Sequence, residues 1–164
     1  MRTAPALVES EIGVPTGIPG FTLRLLAGGA EAMEAFVGSG LAQSGDGDHD
    51  ADDLLRIAGL PDAFLVIGYF HAGSVGFILG QTHLAGKGKV HLFLHRAWTQ
   101  GKREWSREAW RFVDAVARGL GCDAMSAIVP NRIARSIDRV YGFEQQGAYV
   151  VRKVESGGMI RWLS

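Results

Sequence analysis

The sequence predicts an α/β fold, because segments with the two-residue period of strands alternate with segments of helical period. The strand-like segments are Phe21–Leu26, Ala63–Phe70, Val75–Gln81, Lys89–Leu94, Ala124–Val129, a segment ending at Val151, and Met159–Leu163. The helical segments are Ala30–Val37, Asp53–Ala58, Arg103–Leu120 and Asn131–Val140. The predicted order is therefore β-α-α-β-β-β-α-β-α-β-β.

Composition and charge narrow the classes of function. The chain has 164 residues, of which 47% are hydrophobic, and this size fits one compact domain. Its 17 basic and 17 acidic residues cancel, so no net field favours nucleic acid or an anionic membrane. No apolar run is long enough to span a bilayer, and no signal peptide is evident, which predicts a cytoplasmic protein.

The first 20 residues differ from the rest. Pro5, Pro15 and Pro19 occur there together with several glycines, and no strand or helix period is sustained. We expect residues 1–20 to form an arm that is either disordered or packed on a partner, and residues 21–164 to form the domain.

The polar loop before the second helix resembles a metal site only superficially. Asp46, Asp48 and Asp50 have the spacing of calcium ligands, but Ala51 and Ile57 replace the glycine and glutamate that an EF-hand requires. Instead, Asp50 or Asp52 is expected to cap the helix over Asp53–Ala58. We predict no metal site.

The segment from Cys122 to Val151 carries a more specific pattern. A strand is followed by a Pro130 turn, a short amphipathic helix with Asn131 at its start, and the dipeptide Gly142-Phe143. Asn131, Ala134 and Gly142-Phe143 fall on the pattern N-x-x-A-x-x-x-Y-x-x-x-G-F, in which Asp138 replaces the tyrosine. On these residues and the element order, the chain resembles the GNAT superfamily of N-acetyltransferases.

The resemblance implies a mixed, mostly antiparallel sheet flanked by helices, and acetyl-CoA as co-substrate. The family binds the pyrophosphate with a loop of pattern R/Q-x-x-G-x-G/A at the N-terminus of the long helix. Gln100 takes its first position here and Gly101 lies nearby, but Arg103 and Trp105 stand at the glycine-type positions. By the same resemblance, backbone at Leu94 and His95 would meet the acetyl carbonyl, and Asn131 would contact the pantetheine arm.

Two interpretations of the loop remain open. In one, Lys102, Arg103 and Arg107 bind phosphate through their side chains at the helix N-terminus. In the other, Arg103 and Trp105 fill the groove, and the basic residues form a solvated face paired with Glu104 and Glu108.

Proton transfer has two candidate residues. Because Asp138 is ionised at neutral pH, it is a poor acid, and Tyr141 is the alternative, although its position also suits core packing. His91 would share one strand face with Phe93 and His95, where it could serve as a base or hold a water, or be purely structural.

The histidines do not predict a zinc site. His91 and His95 are about 13 Å apart along a strand, too far to share one ion. His49, His71 and His83 are expected in different loops.

These residues lead to a functional hypothesis with one alternative. The first is an acetyl-CoA-dependent N-acyltransferase acting on a primary amine of a small molecule or peptide. The second is a catalytically silent GNAT-like structural or interaction protein, similar to bacteriophage-encoded ones, which would be found in a virion. Either could assemble through the arm as a homo-oligomer or with other proteins. DNA binding through Arg132, Arg135 and Arg139 is disfavoured by the flanking strands and zero net charge.

Overall fold

The computed structural model describes residues 14–43, 50–84, 86–128, 144–146 and 149–153. In these ranges the strands are β1 (Val14–Pro15), β2 (Phe21–Ala27), β3 (Ala63–Phe70), β4 (Gly73–Leu84), β5 (Val90–Thr99), β6 (Ala124–Ile128), β7 (Glu144–Gln146) and β8 (Tyr149–Lys153). The helices are α1 (Ala30–Ser39), α2 (Ala51–Ala58) and α3 (Arg103–Gly119).

The chain divides into two compact units. The N-terminal unit comprises Ala6–Gly80 and Arg96–Phe112. The C-terminal unit comprises Met1–Pro5, Gln81–His95 and Val113–Ser164. As a result β4, β5 and α3 each contribute residues to both units.

The sheet of the N-terminal unit follows the order β1-β2-β3-β4-β5. Strand β2 pairs antiparallel with β1, in the register Val14 opposite Leu23, and antiparallel with β3, in the register Phe21 opposite Phe70. Strand β1 lies inside the segment expected to be an arm. Its turn into β2 is held by the Thr16 hydroxyl, which donates to the Phe21 carbonyl at 2.8 Å.

A hydrophobic cluster covers one face of this sheet. Helices α1 and α2 bury their apolar side chains there, with Phe36 and Leu54 at its centre, against side chains of β2, β3 and β4 that include Leu26 and Phe77. Phe36 and Phe77 contact each other ring to ring, with centroids 4.8 Å apart. Because the apolar side chains of α1 and α2 belong to one cluster, both helices pack on the same face of this sheet.

Helix α2 begins with a side-chain cap. Asp50 is extended and its carboxylate accepts a hydrogen bond from the Asp53 amide at 2.8 Å. Of the two aspartates that the sequence offered, Asp50 is the cap.

The C-terminal unit continues in the order β4-β5-β6-β8-β7. Strands β5 and β6 are parallel, with His91 opposite Ala124 and Leu94 opposite Ala127, whereas β6–β8 and β7–β8 are antiparallel. The mixed, mostly antiparallel sheet flanked by helices is therefore confirmed.

A two-way contact fixes the start of the parallel pair. The Val90 amide donates to the Asp123 carboxylate at 2.8 Å, and the Asp123 amide donates to the Val90 carbonyl at 2.7 Å. Next to it, the Cys122 amide bonds the Ala117 carbonyl at 2.9 Å at the end of α3, and the Cys122 side chain is buried.

Three strand predictions were wrong in their bounds. Part of the loop expected over His95–Lys102 is strand, since β5 extends to Thr99. Pairing with β4 continues to this end, where the Gln100 backbone amide donates to the Val75 carbonyl. Strand β4 is longer at both ends than Val75–Gln81. The single strand expected to end at Val151 is the antiparallel pair β7 and β8.

Two further predictions, the helix over Asn131–Val140 and the strand over Met159–Leu163, lie outside the described residues. Within the described ranges, none of the helices combines the length and the apolar character needed to cross a membrane.

Candidate active site

The loop between β5 and α3 lies in the N-terminal unit and has an open backbone. Gly101 is exposed with φ of +90°, a left-handed conformation that favours glycine, and a Cβ built on it meets nothing within 4 Å. The Lys102 carbonyl accepts from the Trp105 and Ser106 amides, which starts α3. The amides of Arg103 and Glu104 come before these first donors and therefore have no carbonyl partner within the helix, as at any helix N-terminus. This is the geometry that suits an anion.

Trp105 turns away from this loop and into the core. Its ring stacks on Phe21, with centroids 5.6 Å apart and planes at 8°, and lies 5.1 Å from the Phe70 ring. Only 8% of the residue is exposed. The interpretation in which Trp105 fills a ligand groove is therefore wrong, because the first turn of the helix directs this side chain onto β2 and β3.

The basic residues at the start of α3 are exposed. The alternative interpretation paired them with Glu104 and Glu108, and Glu108 pairs with Arg111 at 3.3 Å. The structure gives neither Arg103 nor Arg107 an ion pair with any described residue. Lys102 places its Nζ 6.0 Å from the centre of the Trp105 ring, a distance at the outer limit of a cation–π contact.

The candidate residues on β5 lie in the C-terminal unit. His91, Phe93 and His95 are half-buried, whereas Val90, Leu92 and Leu94 alternate with them and are buried. This confirms the predicted faces. The Leu94 side chain is buried, so a direct contact with a ligand would have to involve its backbone.

Two side chains of β4, His83 and Gln81, contact the rings on this face of β5. His83 contacts His91 and Phe93, with ring centroids 5.6 and 6.2 Å apart. His95 contacts Phe93 at 4.8 Å, and its Nε2 is hydrogen-bonded at 3.0 Å to the carbonyl oxygen of Gln81. The expectation that His83 sits in a loop is wrong, because β4 extends to Leu84 and brings this histidine into the sheet.

The surroundings of His91 favour its neutral form. Burial, the neighbouring His83 and the more distant Lys89 all lower the pKa of His91, and only Asp123 raises it. Its Nδ1 is buried and makes no hydrogen bond within the described residues. A neutral imidazole can accept a proton at neutral pH, which is what a general base requires.

The register of the β4–β5 pair in the N-terminal unit is set by a close backbone approach. A Cβ on Gly76 would lie 2.7 Å from the Trp98 carbonyl oxygen and 3.1 Å from Thr99 Cα, so Gly76 lies opposite Thr99. Phe77 is then opposite Trp98, and both belong to the same hydrophobic cluster.

In the C-terminal unit, His83 contacts Phe93, so it lies on the face of β5 that also carries His91 and His95.

The pairing of β5 with β6 is given by the described residues only. The register of β5 with β6 ends at Leu94 opposite Ala127, and β5 continues to Thr99.

The fold is shared with acetyltransferases of known structure. An acetyltransferase from Desulfovibrio desulfuricans that is assigned to the GNAT family superposes with a TM-score of 0.63 at 12% identity, over 82% of this chain and 99% of its own. Aminoglycoside N-acetyltransferase AAC(6′)-Iy, in complex with CoA, superposes at 0.57 and 16% identity, over 77% and 90%. Arabidopsis thaliana NAA60, in complex with a bisubstrate analogue, superposes at 0.54 and 10% identity, over 82% and 100%.

The chain has the GNAT fold. Identities this low establish the fold alone, and no protein-family model or curated protein matches the chain. What the residues of a GNAT enzyme would do in this chain therefore has to be argued from their own geometry.

Some residues of the GNAT motif are not covered. Asn131, Asp138 and Tyr141 lie outside the described residues, so the roles predicted for them stay predictions. Among the residues that are described, no group of three or more histidine, cysteine, aspartate or glutamate side chains is arranged to hold a metal ion.

His83 is the residue of this site that sequence reasoning missed. The signal was available in part, because His83 continues the alternation of Phe77, Leu79 and Gln81. Its contact with His91 could not be read, because it depends on the register between β4 and β5.

Proposed function

We propose that this protein is an acetyl-CoA-dependent N-acyltransferase that acetylates a primary amine. The observation that carries the proposal is the orientation of Trp105. At a position where the GNAT pattern has a small residue, this side chain stacks on Phe21 and not over the exposed loop. The main steric objection to a phosphate site at Gln100–Arg103 is thereby removed.

The loop and the start of α3 would hold the pyrophosphate. Gly101 lets a ligand approach the backbone, and the first-turn amides of α3 present hydrogen-bond donors. Lys102 and Arg103 are exposed beside them and supply positive charge. The Gln100 backbone amide donates to the Val75 carbonyl in β4, which leaves the Gln100 side-chain amide for a ligand.

The chemistry of the transfer sets what the other residues must do. Acetyl-CoA supplies a thioester whose C–S bond breaks as the C–N bond to the acceptor forms. The ammonium form of the acceptor loses two protons and the departing thiolate gains one, so each turnover releases one proton. We assign His91 as the acceptor of the first proton and Tyr141 as the donor to the thiolate, with backbone at Leu94 and His95 at the carbonyl and Asn131 at the pantetheine arm.

The acceptor is a primary amine of a small molecule or a peptide. AAC(6′)-Iy is named for aminoglycosides, and this class is one of those to be tested. The proposal carries with it a cytoplasmic location, where acetyl-CoA is available, and no role for nucleic acid or membrane. Assembly through residues 1–20 remains a separate prediction.

The test is calorimetric titration of the purified protein with acetyl-CoA and with CoA. We expect micromolar binding that weakens about tenfold in Arg103→Ala, the usual cost of losing a charged hydrogen bond. Arg111→Ala is the matched control, because Arg111 is exposed on the same helix but engaged by Glu108. No binding at millimolar acetyl-CoA in folded protein would contradict the proposal, and would leave the catalytically silent interaction protein, including a phage particle component, as the alternative.

A further inference from the structure

His83 is a titratable side chain that the structure adds to the candidate site, and its contact with His91 is specific. The two imidazole planes meet at 71° with centroids 5.6 Å apart, an edge-to-face arrangement. The same His83 ring meets Phe93 at 74°. Such contacts between rings fix orientation as well as distance, so the His91 ring is held from the β4 side.

The charged groups around His91 come from three directions. His83 faces it from β4, Lys89 precedes it at the start of β5, and Asp123 lies at the junction before β6. Asp123 is the one group among these that favours a positive charge, and its carboxylate already accepts the Val90 amide. It is therefore a fixed partner that only partly offsets the groups that lower the pKa of His91.

Two imidazolium ions at this separation repel each other. In water the repulsion of two unit charges 5.6 Å apart corresponds to about half a pH unit, and it is larger where burial lowers the dielectric constant. A positive charge on His83 therefore makes His91 harder to protonate, in keeping with the lowered pKa of His91.

We propose that His83 is a positioning residue for His91, holding the His91 imidazole edge-to-face and disfavouring its protonated form. This rests on the proposed function in assigning the proton-accepting role to His91. In that role His83 keeps the lone pair of His91 available to an amine acceptor at neutral pH. His83 itself touches no reacting atom.

The test separates this pairing from the activity. The ring resonances of His91 are followed by NMR as a function of pH in the wild-type protein and in His83→Gln, with His91→Gln to assign them. We expect the midpoint of His91 to move up by about half a pH unit or more in His83→Gln. His71→Gln is the control, because His71 is exposed in a turn of the N-terminal unit, and it leaves the midpoint of His91 unchanged.

A kinetic measurement completes the test. In His83→Gln the acidic limb of kcat/KM with acetyl-CoA moves to higher pH by the same interval as the NMR midpoint. If His83→Gln does not fold, His83→Phe replaces it, since it keeps a ring and removes the charge. A midpoint that stays in place or falls in the folded variant overturns the proposal. A midpoint that rises in a protein without turnover supports the pairing and overturns only the catalytic assignment.

Discussion

Trp105 at the start of α3 lies flat on Phe21 of β2, with the two ring planes 8° apart. This contact gives the position a structural role where the GNAT pattern has a ligand-facing glycine. We predict that Trp105→Gly destabilises the protein by about 3–5 kcal/mol, the usual cost of removing a buried tryptophan. The free energy of unfolding is measured by urea denaturation.

The matched variant is Arg103→Gly, which restores the other glycine-type position. Arg103 is exposed at the first position of the helix, so this change costs less than about 1 kcal/mol. Similar losses in the two variants would contradict the contrast between a core residue and a surface residue. Trp105→Phe serves as a milder probe if Trp105→Gly fails to fold.

Gly76 is predicted to tolerate no side chain. A Cβ there would lie 2.7 Å from the Trp98 carbonyl oxygen, a backbone atom that cannot move without breaking the strand pair. Gly76→Ala should lower the melting temperature, measured by circular dichroism. Gly38→Ala is the control with the opposite sign, because Gly38 lies in α1 with open space around it, and alanine stabilises such a position by about 0.4–1 kcal/mol. A stable Gly76→Ala protein would show that the pairing opposite Thr99 is wrong.

The cap of α2 gives a third prediction. Asp50→Ala removes the acceptor of the Asp53 amide and should cost about 1 kcal/mol, whereas Asp50→Asn keeps an acceptor and costs less. Asp52→Ala, in the first turn of the helix, is the comparison. An equal loss at Asp50 and Asp52 in urea denaturation would mean that the effect comes from helix-terminal charge and not from the hydrogen bond.

The sequence predicted the fold well where the periodic signal was local. The stripe of apolar residues over Arg103–Leu120 and the apolar run over Ala63–Phe70 match α3 and β3 almost residue for residue. The prediction was wrong at the end of β5. Arg96, Trp98 and Thr99 become strand through pairing with β4, which is a tertiary effect.

The candidate site was predicted in part for the same reason. His91, Phe93 and His95 were placed on one face by their spacing alone. The contact between His83 and His91 required the register of two strands, and no local pattern specifies it. Trp105 was read as a possible groove filler because its direction depends on what the first turn of α3 packs against.

The lowered pKa of His91 predicts how stability depends on pH. Above about pH 6.5 His91 is neutral in both the folded and unfolded chains, so it adds no pH dependence. As the pH falls below 6.5 the unfolded chain binds the proton first, and the free energy of unfolding falls until the pH reaches the lower pKa of the folded state. Urea denaturation at several pH values between 7.5 and 5 measures this.

The comparison protein for that measurement is His91→Gln. It should lose less stability than the wild type over the same interval, because its side chain cannot be protonated. Parallel pH profiles of the two proteins would show that other groups cause the change. Lys89→Gln should lessen the effect, since Lys89 is one of the groups that lower the pKa of His91.

Cys122 is the chain's single cysteine, and its side chain is buried where α3 ends and β6 is about to begin. Thiol reagents can therefore modify this protein at one atom only, and only after that junction opens. The rate of modification measures the opening of the C-terminal unit without an introduced label, and each of the variants above can be compared by it. A ligand that stabilises this unit would slow the reaction, so the protein carries its own reporter for a screen of amine acceptors.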